Sequence, residues 1–445
     1  MDLQYGRRWG LNVVNDYENS KVKRKTVSSS STDQRGAAYA WIAAQQSQIT
    51  ADLISLANQN SGSDHLAGLL RVAQWLEDRM DLPHAQFRRI ALPARHTIDN
   101  HGDEFAVETG PALCWDFQPK QRRRVLLAIH YDTVFGAADP FQTCELLTVD
   151  RLQGPGVADA KGGVMIIRTA LQALSQFALA EDIGWTVLLT PDEELGSPSS
   201  KQLFEQLAPD FDFALLFEPA LASGELVAGR KGSGNYTIVV HGRAAHAGRH
   251  FDQGRNAVIE LCRLVTRLAA LSGQRPGLTV NVGQIHGGAA VNIVPDLAVA
   301  RLNIRVADIS SGKWFEHQLK HFVDELNGMD GFRCRSRGEL ASPPKVVTDE
   351  MQQLMRAIEN ASLDVGGSAI RWKETGGVCD GNKLAAAGLV NVDTLGPIGD
   401  GLHSRSEWVS LSSIVDKAQL VVNLLNRFSA GEFSMLQRQR FEPDE

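Results

Sequence analysis

At 445 residues the chain exceeds the size at which a single hydrophobic core usually stops growing, so two domains are expected. Hydrophobic residues at 43% and charged residues at 22% are the values of a folded globular protein, and a net charge of -7 removes any general attraction to nucleic acid or to an anionic membrane. The cysteines (Cys114, Cys144, Cys262, Cys334 and Cys379) are odd in number and lack CxxC spacing, which argues against a disulfide framework or a thiolate zinc site and suits a reducing compartment.

Residues 1–36 read as an extension with no assigned role, in which the basic stretch KVKRK at 21–25 runs into serines as a solvated, flexible tail would. No basic segment followed by an apolar one opens the chain and no run of 18 apolar residues occurs, so a cytoplasmic protein is expected. Apolar residues then recur at helical spacing over 37–56 and 65–80, with Gly62 and Ser63 between them. RRVLLAIHY, IGWTVLLT and FDFALLFEP are short continuous apolar runs of the kind that form strands buried on both faces. Between the first two lies the helix-like GGVMIIRTALQALSQF, so the order strand, helix, strand predicts an α/β sheet that is at least partly parallel.

From Gly234 the texture changes. NYTIVVHGR, RNAVIELCRLVTRLAAL, LTVNVGQIHGG, LAVARLNIRV, KWFEHQLKHFVDELN and FRCRSRGEL give the order β-α-β-β-α-β, the ferredoxin-like signature. That set is closed, so 233–342 reads as a domain inserted between 37–232 and 343–445, the latter resuming with a helix, the strand VNVDTLG and a closing helix.

The acids and histidines gather at the predicted strand ends and the loops beyond them: His130 and Asp132 in LLAIHYDTVFG, Asp159 in GPGVADAKGG, Glu193 and Glu194 in TPDEELGS, Glu218 in LLFEPA and His403 in GDGLHSRSEW. In open α/β sheets ligands collect beyond the carboxyl ends of the strands, so these side chains can share one crevice. Taken singly each has an ordinary structural explanation: a helix cap for Asp159, an exposed acidic loop for Glu193 and Glu194, a strand-end charge for Glu218. Jointly, two imidazoles and three carboxylates, one of them bridging, suit two zinc-type ions at the separation of about 3.5–4 Å typical of two-metal hydrolytic sites.

Across roughly 37–428, the motifs HYDTV, GPGVADAKGG, PDEELGS, FEP, GRAAHAG, NIVPD and GLHSRSEW, in that order, resemble the di-zinc aminoacylases and carboxypeptidases, a family that includes glutamate carboxypeptidase, acetylornithine deacetylase and succinyl-diaminopimelate desuccinylase. The resemblance implies an α/β fold in which a mixed-sheet metallopeptidase catalytic domain carries an inserted ferredoxin-like lid and dimerisation domain. It implies that His130 and Glu218 hold one Zn2+, Glu194 and His403 the other, with Asp159 bridging and Co2+ or Mn2+ as substitutes. Asp132 would orient His130, as metal-bound imidazoles commonly need. Glu193, beside a ligand yet not one itself, would be the catalytic base. His246 in the inserted domain would polarise the scissile carbonyl, usually in the neighbouring subunit of a homodimer.

Asn292 and Arg305 match residues that hold a substrate carboxylate, a task suited to a guanidinium. The loop 374–382, with Gly376 and Gly377, matches the glycine-rich wall of the pocket. The expected activity is therefore cleavage of an amide beside a carboxylate-bearing residue in a peptide or N-acyl amino acid, with a glutamate carboxypeptidase-like exopeptidase favoured over a deacetylase or desuccinylase. A non-catalytic assembly protein on the same fold is the competing class, which a missing base or ligand would have favoured. None is missing.

Overall fold

In the computed structural model, residues 29–433 and 436 are described, so the expectations for 1–28, including the basic stretch 21–25, lie outside them. The helix expected over 37–56 is two helices, Ser29–Ala44 and Gln46–Ala57, and it starts earlier. The interruption falls at Gln45, whose N–H bonds to Ile42 O at 3.0 Å, a tightened turn in the helical ladder. The helix expected over 65–80 is Leu66–Arg79.

The larger sheet has six strands: β1 (Gln86–Ile90), β2 (Ala112–Phe117), β3 (Arg124–His130), β4 (Gly184–Thr190) and β5 (Phe213–Leu216), with the short Asn391–Val392 strand at its far edge. Their spatial order is β1-β2-β4-β3-β5 and then Asn391–Val392. The pairs β3 with β4 and β3 with β5 are parallel, whereas β1 and β2 run antiparallel to their neighbours, so the sheet is mixed. Successive side chains of a strand point to opposite faces. Val125, Leu127 and Ile129 accordingly enter the main core, with the helices Lys161–Gln176 and Leu411–Ser429, while Leu126 and Ala128 pack with Phe204, Phe211 and Leu384 on the other side. A strand covered on both faces has no position for a polar residue until it ends, and β3 ends on His130.

The inserted region forms its own four-stranded antiparallel sheet from β6 (Gly232–His241), β7 (Thr279–Gly287), β8 (Leu297–Val306) and β9 (Arg333–Ser342), in the order β7-β8-β6-β9. Helices Ala257–Ala269 and Ile309–Asn327 bury Leu261, Leu264, Phe315 and Leu319 against it. This is the ferredoxin-like arrangement. Among the described residues no helix is long and apolar enough to cross a membrane.

A hairpin that the sequence analysis did not anticipate, Arg95–Ile98 with Glu104–Val107, reaches from the larger unit to the back of this sheet. Ile98 packs with Val239 and Val299 and is 3% exposed. Glu104 accepts from Arg335 at 2.6 Å and from Arg337 at 2.9 Å, but all three side chains are about two-fifths exposed. The apolar contact should therefore dominate. Ile98→Ala should cost about 2–4 kcal/mol through the cavity it leaves, and Glu104→Gln less than about 1 kcal/mol, as urea-denaturation midpoints at unchanged slope will measure.

Candidate metal centre

His130 is 1% exposed and Asp132 is wholly buried. The imidazole Nδ1 lies 3.2 Å from Asp132 Oδ1 and 3.1 Å from the Asp132 backbone oxygen, which aims Nε2 into the crevice. There Nε2 is 3.1 Å from Asp159 Oδ1 and 3.6 Å from Glu218 Oε2. The other oxygen of Asp159, Oδ2, is 3.4 Å from His403 Nε2, and His403 Nε2 is 3.1 Å from Glu194 Oε2. One carboxylate thus stands between two imidazoles, each of which has a further carboxylate beside it. Ligand atoms of His130, Asp159 and Glu194 all lie within 4.8 Å of one another.

Asp132 does more than orient the ring. Its Oδ1 accepts the Glu193 N–H at 3.1 Å, and its Oδ2 accepts the Glu194 N–H at 3.2 Å and the Ser63 hydroxyl at 2.6 Å. The 3-10 turn Glu193–Leu195 that follows β4 is therefore tied to the end of β3. The acids crowd one another. Burial, then the Glu218 charge, pushes the Glu193 carboxyl well above its ordinary range; burial with Asp159 beside it raises Glu194 to about 7. Against burial, hydrogen bonds from His130 and then His403 hold Asp159 low, and the bonds to Asp159 and Glu194 raise His403 to about 11. His403 itself is 57% exposed and holds a left-handed φ of 60°, a conformation that surrounding structure must impose on a residue with a side chain.

The residues expected to contact substrate fall into two groups. Arg305 on β8 points its Nη1 at Gly376 O, 3.4 Å away, and Gly377 O lies 3.4 Å from Arg230 Nη1. His246 and Asn292 sit together elsewhere, on a small ladder that pairs Ala245–His246 with Ile293–Val294 and adds a bond from Ala247 N–H to Asn292 O at 2.9 Å. Both are exposed, and the His246 ring accepts from Gly248 N–H at 3.1 Å and makes no hydrogen bond to the cluster around Asp159.

Comparison with known proteins agrees with this architecture. Residues 228–330 match the peptidase dimerisation domain family. Carboxypeptidase G2 of Pseudomonas sp. (strain RS-16) is 25% identical over 404 residues, 87% of this chain and 91% of that protein. The chain thus resembles the M20 metallopeptidases. The succinyl-diaminopimelate desuccinylase of Gluconobacter oxydans is 29% identical over 66% of this chain and 77% of that protein. An M20 family metallo-carboxypeptidase from Sulfolobus solfataricus shares the fold at a TM-score of 0.68 and 17% identity, over 86% of this chain and 99% of that one. The protein is thus a hydrolase of the metallo-exopeptidase and amidohydrolase group.

One supporting residue of this metallopeptidase escaped the sequence analysis although it lies in a quoted motif. Glu407, 1% exposed, accepts the N–H groups of Ala158 (2.9 Å) and Asp159 (3.0 Å) on Oε1 and of Gly156 (3.1 Å) on Oε2, so it builds the loop that presents the Asp159 carboxylate. Its signal in sequence is only its place four residues after His403. Glu407→Gln would set an NH2 group against a backbone N–H. That mismatch should cost on the order of 1–3 kcal/mol, seen as a lower melting temperature of the metal-free protein; an unchanged melting temperature would mean the loop holds itself.

Proposed function

We propose that the protein is a co-catalytic di-zinc hydrolase of the glutamate carboxypeptidase-like kind, cleaving the amide beside a carboxylate-bearing residue. The observation that carries this reading is the Asp159 carboxylate, with one oxygen toward His130 and the other toward His403. Two imidazoles, two flanking carboxylates and a central one are a donor set of the right hardness and number for two zinc-type ions. His130 and Glu218 would hold one ion, Glu194 and His403 the other, and Asp159 both. Ions bound there would supply Lewis acidity toward the scissile carbonyl and acidify the attacking water.

The rest falls to the chain's own groups. Glu193, on the turn that Asp132 fixes, takes the proton of the attacking water and passes it to the leaving amine. Arg305 of the inserted unit, with the carbonyl wall of Gly376 and Gly377, receives the substrate carboxylate, and Asn292, beside His246, supports the substrate in the site that His246 serves. His246 donates to the developing oxyanion. An N-acyl-amino-acid deacylase would use the same groups, and the desuccinylase relatives favour that second reading.

Two measurements test this. A screen of peptides with C-terminal glutamate against N-acyl amino acids, on zinc-loaded protein, decides between the two readings. In the same assay Glu193→Gln should keep two metals per chain and lose about 10²–10⁴-fold in kcat, the range for general acid-base help; loss of metal with activity would make Glu193 a ligand instead.

Because the His246 ring is exposed, accepts from its own turn and makes no hydrogen bond to the Asp159 cluster of its own chain, we infer that it serves the site of a second subunit, with the inserted unit forming a two-fold homodimer contact. His246→Ala and Glu193→Ala homodimers should each be nearly inactive. Reassociated together, random pairing makes about half the dimers mixed with one intact site each, so about a quarter of wild-type activity should return. No recovery in demonstrably mixed dimers would place His246 in its own chain's site.

A further inference from the structure

The chain enters the inserted sheet just after Arg230 and leaves it just before Lys345, and these two crossings are bound to each other. Arg230 N–H donates to Lys345 O and Lys345 N–H to Arg230 O, both at 3.0 Å. Their side chains then turn to one acid. Arg230 grips Asp393 with two parallel bonds, Nε to Oδ2 at 2.8 Å and Nη2 to Oδ1 at 2.9 Å, and Lys345 Nζ reaches Oδ2 at 2.7 Å. The Lys345 and Asp393 side chains are fully buried and that of Arg230 is 9% exposed.

Asn382 adds a second tie. Its Nδ2 donates to Lys231 O at 3.0 Å and to Pro343 O at 2.8 Å, one bond to each crossing strand. The same short helix, Asp380–Ala386, carries Lys383, whose Nζ reaches Ser342 Oγ at 3.4 Å.

Both ties lead back to the candidate metal centre. Asp393 O accepts the N–H of Glu218 at 3.0 Å. Asp380, two residues before Asn382, accepts from Thr190 Oγ1 at 3.3 Å and from Ser197 Oγ, the two ends of the segment that carries Glu193 and Glu194. Arg230 also reaches the glycine-rich wall through Gly377 O.

A buried ion cluster is weak evidence of stability, because desolvation offsets most of its attraction and an apolar cluster of the same volume would hold as well. What the ions supply is direction: a bidentate guanidinium and a bridged pair of carbonyls accept only one angle between the strands they join. We propose that Arg230, Lys345, Asp393 and Asn382 form a hinge latch, positioning residues that set the angle at which the inserted unit carries Arg305 over the site. The kinetic consequence rests on the function proposed above; the mechanical one does not.

Lys345→Met and Asn382→Ala test it, each removing one tie and leaving the Arg230–Asp393 pair. Hydrogen exchange at the Arg230 and Lys345 amides should quicken in both variants while β3, β5, β6 and β8 keep their protection. With a less populated binding-competent angle the apparent affinity falls in proportion, so KM should rise about tenfold with kcat within about threefold of wild type and two metals retained. Unchanged exchange at the crossings would overturn the latch, as would a fall in kcat at constant KM. Failure of both variants to fold would also overturn it, since the residues would then hold the fold and not the angle. Should the wild-type protein cleave none of the screened substrates, the exchange result decides the latch alone, separately from the failure of the proposed function.

Discussion

A carboxylate removed from water keeps its charge only where donors surround it, and Asp132 has no exposure at all. It meets the His130 ring, the backbone N–H groups of Glu193 and Glu194, and the Ser63 hydroxyl. Those donors come from three segments separated in sequence: the end of β3, the turn after β4, and the loop before the helix Leu66–Arg79. Each segment is held where it is because moving it would leave a buried donor or the buried charge unmatched, which costs more than the net worth of a typical hydrogen bond. The directions of His130 Nε2 and of the Glu193 and Glu194 side chains follow from that one anchor. Glu407 repeats the device at the 156–159 loop, where three backbone N–H groups turn toward a single buried carboxylate.

The sheet explains why the charges collect where they do. Residues 125–129 alternate between two apolar cores, so the interior of the strand can hold no charge. The acids and imidazoles are displaced to its carboxyl end, where they face one another at 3.1–3.6 Å. Burial raises Glu193 and Glu194 and the neighbouring carboxylates add to it, a combination that marks a site built to receive positive charge.

The legible parts of the sequence were those whose signal is local. A continuous apolar run that stops on a histidine marks β3, and the β-α-β-β-α-β order marks the second sheet. Strand β1 was not read because its QFRRI pattern is largely exposed and polar, as an edge strand is. The hairpin on which Ile98 rides has two four-residue strands with mostly exposed side chains and too little periodicity to notice. The ties at the crossings were illegible for a different reason: Arg230 and Asp393 are 163 residues apart, and nothing in either neighbourhood names the other. The ligand candidates were readable only as a set, since each alone has a bland explanation and only their convergence, visible in three dimensions at Asp159, gives the set chemical meaning.

Arg305 carries the argument about substrate one step further. Its guanidinium is half-buried, and burial lowers its pKa, yet an arginine keeps its proton under any ordinary condition. Among the described residues it pairs with no carboxylate; it donates to the neutral Asn303 side chain at 3.1 Å and to the Gly376 carbonyl at 3.4 Å. This contrasts with Arg230, which grips the buried Asp393 carboxylate with two hydrogen bonds. A partly desolvated cation beside a carbonyl wall gains most from an anion with two coplanar oxygens, which a carboxylate supplies and a neutral amide does not. Under the function proposed above, a substrate carboxylate held by Arg305 would lie against the inserted unit while the amide lies toward Asp159, the orientation that removal of a terminal residue needs.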